Sequence, residues 1–210
     1  GTQNVALGTT TLELNTTGSY NVAIGNSTLD KNTTADSNTG VGYAVLTNNT
    51  TGAENSGFGQ AALIANTTGA CNVAIGRSAL AANTTANDNV AVGSYSLKSN
   101  TTGANNIAVG ARALCTVTTG IKNIAIGTEA LRYNTGSNNT AIGYLALDAN
   151  TTASSNTAVG ESALGANTTA NYNVAIGANA LCSHTTGNGR NTAVGFQSLK
   201  PMTTGYDNTG

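Results

Sequence analysis

Residues 21–37 read NVAIGNSTLDKNTTADS, residues 38–54 NTGVGYAVLTNNTTGAE, and residues 55–71 NSGFGQAALIANTTGAC. Laid over one another, the three lines share a leading Asn, a small third residue, a large apolar fourth, Gly, Leu and then Asn-Thr-Thr. The first line is one unit of an array, and a fixed period of this length governs the reading of the whole fold.

The leading Asn falls at Asn4, Asn21, Asn38, Asn55, Asn72, Asn89, Asn106, Asn123, Asn139, Asn156, Asn173, Asn191 and Asn208. The step is 17 residues, except for 16 after Asn123 and 18 after Asn173. The shorter step lacks one Thr of the usual NTTG, and the longer one carries an extra residue in TTGNGRN, so both changes fall in one stretch. That stretch is a turn that tolerates length change. The unit can be written N-[V/I/T]-A-[I/V]-G-x-x-[A/S]-L-x-x-N-T-T-[G/A]-x-x, with positions numbered 1 to 17 below.

Charged residues are 8% of the chain, against roughly 25% in ordinary globular domains. Leu, Ile, Val and Phe together make about 18%. So lean a composition suggests disorder, yet the net charge is only −1, and the aliphatics recur at two fixed phases. Periodic placement decides for order: the chain reads as one repeat domain over residues 1–210, a piece of a longer array. The scattered charges form no basic stripe and give nucleic-acid binding no electrostatic support. No apolar run approaches the roughly 20 residues that span a bilayer, and no membrane insertion is expected.

Within NVAIG, positions 2 and 4 point one way and position 3 the other, the two-residue period of a short strand. Gly at position 5, as in Gly25, Gly76 and Gly127, permits a turn. A second extended piece then brings the position-9 Leu back to the same interior as the position-4 residue, and NTTG closes the coil. Four residues between Gly and Asn-Thr-Thr are too few for a stable helix. The expected fold is therefore all-β, a parallel β-solenoid or β-roll of about twelve 17-residue coils, stacked at roughly 4.8 Å per coil. The expected core comprises Ile24, Leu29, Ile75, Leu80, Val109, Leu114, Ile126, Leu131, Ile142, Leu147, Ile176 and Leu181. Stacked amides at Asn21, Asn72, Asn106, Asn123 and Asn173 are expected to form ladders between coils. So thin an interior leaves the small face, with Ala74, Ala125 and Ala175, free to meet another chain. A homotrimeric fibre is expected, with a lone slender solenoid as the alternative.

The phrases NTAVGFQSLKPMTTG, NTAIGYLALDANTTA and NVAIGRSALAANTTA resemble the NTAxGxxALxxNTTG repeats of bacteriophage tail-fibre proteins and similar bacterial surface proteins. The NVAIG core is also similar to the SVAIG motif in the heads of trimeric autotransporter adhesins, which are trimeric left-handed parallel β-rolls. The resemblance covers essentially the whole chain. It implies a virion tail fibre or an extracellular, cell-surface filament that attaches to a host, with itself and a host glycan or protein as partners. Departures are Val117, His184 and Met202 at the usual Asn of NTT, and Gly40 and Gly57 at the usual Ala.

Little in the sequence suggests chemistry. His184 is the only histidine, which leaves no two-His metal site within one chain; only three copies converging on an axis could bind a metal. The carboxylates occupy variable phases and read as solubilising charges. Cys71, Cys115 and Cys182 lack metal-ligand spacing, and Cys115 and Cys182, four units apart, are too distant for a disulfide. No enzyme activity, cofactor or metal is expected. Asn15, Asn32, Asn49, Asn66, Asn83, Asn100, Asn150 and Asn167 each head a formal glycosylation triplet, better explained as turns. Tyr20, Tyr43, Tyr95, Tyr133, Tyr144, Tyr172 and Phe196 are expected outside, where rings can stack on sugars. A third reading, an ice-binding solenoid, is weakened because adjacent Thr residues make a poor flat array.

Overall fold

The computed structural model describes residues 1–187 and 189–210; the inserted stretch of the 18-residue unit includes Asn188, which lies outside the described residues. Each unit contributes one three-residue strand: β1 (Val5–Leu7), β2 (Val22–Ile24), β3 (Thr39–Val41), β4 (Ser56–Phe58), β5 (Val73–Ile75), β6 (Val90–Val92), β7 (Ile107–Val109), β8 (Ile124–Ile126), β9 (Thr140–Ile142), β10 (Thr157–Val159), β11 (Val174–Ile176) and β12 (Thr192–Val194). The strands form one parallel sheet in chain order, a β-solenoid of about eleven turns, with no helix among the described residues. Every residue faces its equivalent in the next unit, as Ala74 faces Ala91. The 16- and 18-residue steps leave this register intact, Ile126 pairing with Ile142 and Ile176 with Val194. The missing residue of the 16-residue step is absorbed in the turn that lacks it.

The interior differs from expectation at one position. Leu29, Leu80, Leu114, Leu131, Leu147 and Leu181 are fully buried, and so are Ala74, Ala125 and Ala175. The position-4 residues expected beside them stand on the outer face: Ile75, Ile126, Ile142 and Ile176 are about 40% exposed (41%, 40%, 38% and 41%), and Ile24 and Val109 are half-buried. The strand period does set Ala against Ile, but the Leu folds back on the Ala side. A narrow coil takes one large side chain per turn, and the small Ala opposite leaves room for it. The Ala column therefore lines the coil and does not face a neighbouring chain.

Leu achieves this by adopting a left-handed backbone, φ 51° at Leu29 and 50° at Leu114, a conformation that costs an L-residue roughly 1–2 kcal/mol. Main-chain bonds offset the strain: Leu29 N–H donates to the Val45 carbonyl of the next coil at 3.0 Å, and within its own coil the Leu29 carbonyl accepts from Asn32 N–H at 3.1 Å. Gly at position 5 is required for a different reason. At Gly25 and Gly127, φ is 131° and 136°, and a Cβ would run into the carbonyl of the Gly one coil on, Gly42 or Gly143.

The two departures at position 3 have a packing cause. A Cβ on Gly40 would meet Thr28 Cγ2, and one on Gly57 would meet Val45 Cγ1. Thr28 and Val45 occupy position 8 of the preceding coil, where Ala is usual. Added volume at position 8 is matched by volume removed at position 3 of the next coil, which conserves the packed total.

Candidate interaction surfaces

Buried asparagines hold the coils in register. Asn21, Asn72, Asn106, Asn123 and Asn173 are fully buried. Each accepts the backbone N–H of the next position-1 Asn on its Oδ1; Asn123 N–H, for example, donates to Asn106 Oδ1 at 3.0 Å. At Asn21, Asn72, Asn106 and Asn123 the Nδ2 reaches the turn carbonyl of its own coil, as from Asn106 to Gly120 at 2.9 Å, whereas Asn173 Nδ2 reaches the Ala170 carbonyl of the preceding coil at 3.3 Å.

The NTT asparagines form a second ladder. Asn83 Nδ2 donates to Asn66 Oδ1 at 2.8 Å and to the Ala86 carbonyl at 3.1 Å. Asn32, Asn49, Asn66, Asn83, Asn100, Asn150 and Asn167 are fully buried, so their amide nitrogens face no solvent and a glycan there is incompatible with the folded coil. The first Thr of each Asn-Thr-Thr gives its hydroxyl to the next coil's backbone, as Thr33 does to the Thr50 carbonyl at 3.0 Å. The second, such as Thr34, Thr51 and Thr68, is exposed.

His184 sits in this second ladder and is fully buried, contrary to a surface turn from which three copies could share a metal. Its Nε2 lies 3.4 Å from the Gly205 carbonyl and 3.4 Å from Asn191 Nδ2. Among the described residues, no group of three or more His, Cys, Asp or Glu could hold a metal ion. The cysteines are free; Cys71 is exposed, and Cys115 and Cys182 are half-buried. Among the described residues, no helix is long and apolar enough to cross a membrane.

Two surfaces stand out. The first is the outer face of the sheet, where positions 2 and 4 form parallel columns of Val, Ile, Thr, Ser, Leu and Phe without a charged side chain. Twelve strands at about 4.8 Å give this ribbon a length of about 53 Å.

The second lies on the turn side. Positions 6, 7 and 10 of successive units look scattered along the chain, yet stacking brings together Arg77, Tyr95, Lys98, Arg112, Glu129 and Arg132. The Arg77 guanidinium lies 5.4 Å and Lys98 Nζ 5.3 Å from the Tyr95 ring centroid. Glu129 bridges Arg112 and Arg132, each at 3.1 Å, and Arg132 lies 4.8 Å from the Tyr133 ring. Tyr95, Lys98, Arg112 and Cys115 line a depression of about 260 Å³. Burial pushes the Cys115 thiol up, while Lys98, Arg132 and Arg112 pull it the other way. Burial likewise raises Asp148 above the usual carboxylate range against the pull of Arg132. Another depression, about 300 Å³, lies among Asn171, Tyr172, Gly187, Gly189 and Arg190, where Arg190 is paired with Asp207 at 3.1 Å. Tyr20, Tyr43, Tyr133, Tyr144, Tyr172 and Phe196 are exposed, and Tyr95 is half-buried.

No protein family's sequence profile matches the chain, and neither a curated protein nor a solved structure matches it. The fold and its surfaces therefore carry the functional argument.

Proposed function

We propose that the chain is a structural segment of an extracellular fibre that attaches a virion, in the manner of a tail fibre, to a host surface. A bacterial surface adhesin of the same architecture is the alternative carrier. Copies pack through the outer face of the sheet, three around a common axis, and the segment performs no catalysis. The supporting observation is the neutral two-column ribbon on a coil whose own interior is already filled by Leu and Ala. At about 53 Å by roughly 10 Å, it covers on the order of 500 Å², in the range where an exposed patch marks an interaction site. A rod with a completed core gains little by covering this ribbon with itself, whereas a parallel neighbour matches it rung for rung.

Light scattering on the isolated segment tests the assembly. The expected mass is three times 20.8 kDa, and Ile126→Lys with Ile142→Lys is expected to release monomers with an unchanged circular dichroism spectrum. A wild-type monomer would defeat the reading. The same evenly spaced, neutral ribbon also favours an ice-binding solenoid; thermal hysteresis in the wild type, lost in the double variant, would select it.

A further inference from the structure

Half of the chain's eight Lys and Arg residues lie in four consecutive coils on one side of the rod: Arg77, Lys98, Arg112 and Arg132. In an array whose inner positions repeat so closely, clustering at outer positions is a departure that the coil does not require. Arg77, Lys98 and Arg112 are exposed, and neither Arg77 nor Lys98 has a carboxylate partner among the ion pairs of the described residues. Both stand instead against the half-buried Tyr95 ring. One carboxylate, Glu129, serves two guanidiniums, which leaves each Arg with unused donors in its fork.

We propose that this patch is a receptor site for an acidic glycan, an oligosaccharide bearing carboxylate or sulfate groups, seated in the depression between Tyr95, Lys98, Arg112 and Cys115. The proposal rests on the fibre reading and names the partner class. Lys98 and Arg112, which both line the depression, supply the charge, Arg by a planar fork that matches a carboxylate or sulfate. Tyr95 and the exposed Tyr133 offer rings to the apolar faces of sugar units. A strand of nucleic acid asks for cations along its whole track. Here they extend over four coils, roughly 14 Å, with Glu129 among them and Asp148 following Arg132 at position 10 of the next coil. An isolated patch of this kind suits a ligand whose charges are separated by neutral groups. In an assembly of several copies, equivalent patches would add by avidity.

Calorimetry with a heparin hexasaccharide (sulfate and carboxylate) and an oligogalacturonate of equal length (carboxylate alone) tests the site. Lys98→Gln with Arg112→Gln removes two exposed cations, and Lys31→Gln with Lys200→Gln removes the same charge elsewhere. Binding of at least one probe is expected, weakening with salt, reduced tenfold or more in the first variant and less than twofold in the second. No binding of either probe at low salt, or equal losses in both variants, overturns the proposal, as does tighter binding of a single-stranded oligonucleotide. Light scattering on the same samples reads the fibre assembly separately, so either claim can fail alone.

Discussion

Two columns of asparagine run the length of this molecule, and they are treated differently. The position-1 column is unbroken from Asn4 to Asn208, whereas the position-12 column is interrupted by Val117, His184 and Met202. Their bonds explain the difference. A position-1 Oδ1 satisfies a backbone N–H of the next coil, as Asn55 does for Asn72 at 3.0 Å, and the main chain has no other acceptor there. A position-12 Nδ2 reaches a carbonyl that position 1 already serves: the Gly52 carbonyl accepts from both Asn38 at 2.9 Å and Asn49 at 2.8 Å. Except in the short unit, where Asn134 Oδ1 accepts the Gly136 N–H at 3.2 Å, replacing position 12 therefore leaves no backbone group alone, only one side-chain oxygen. Asn100 Oδ1 and Asn167 Oδ1, the oxygens facing Val117 and His184, are buried without a partner. The array substitutes where a bond is redundant.

Asn106→Ala should have the largest effect. It orphans the Asn123 N–H and, because Val117 offers no amide in that coil, the Gly120 carbonyl as well. At 1–3 kcal/mol per buried orphan, the loss is about 2–6 kcal/mol, measurable as a lowered denaturant midpoint; a loss under 1 kcal/mol would remove the distinction between the columns. Asn83→Val comes next. It strands Asn66 Oδ1 while the Ala86 carbonyl keeps its bond from Asn72 at 2.8 Å, so a loss of about 1–3 kcal/mol is expected. A loss equal to that of Asn106→Ala would show that redundancy is not what permits interruption. The smallest effect runs the other way. Val117→Asn should restore the ladder to Asn100 and stabilise by about 1 kcal/mol, or 2–4 °C in melting temperature for a chain of this size. Destabilisation in that variant would mean that the Val methyl groups matter more than the missing amide.

The parallel coil was legible because period, turn residues and phase agree in every unit. What stayed illegible was which face of the strand turns inward. A two-residue period says that Ala and Ile oppose each other, and hydrophobicity favours Ile for the core. The answer depends on the left-handed backbone at Leu, which no local preference of Leu announces. One signal was available: Gly40 follows Thr28, and Gly57 follows Val45, each one coil later. Such matched volumes place positions 3 and 8 in contact, hence inside. The cationic patch was hidden for a simpler reason. Its members are separated by up to a full unit and shift between positions 6, 7 and 10, so only the stacked coil shows them as neighbours.

The order of the strands carries a consequence for how the chain reaches this structure. Parallel sheets fold slowly when each crossover must close a long loop before pairing is rewarded. Here every strand pairs with the next one along the chain, so partners are 16 to 18 residues apart in a chain of 210. That separation corresponds to a relative contact order of about 0.08, the range of helical bundles. A twelve-stranded parallel sheet can thus form by zippering, since a first pair of coils, once closed, templates its neighbours in either direction.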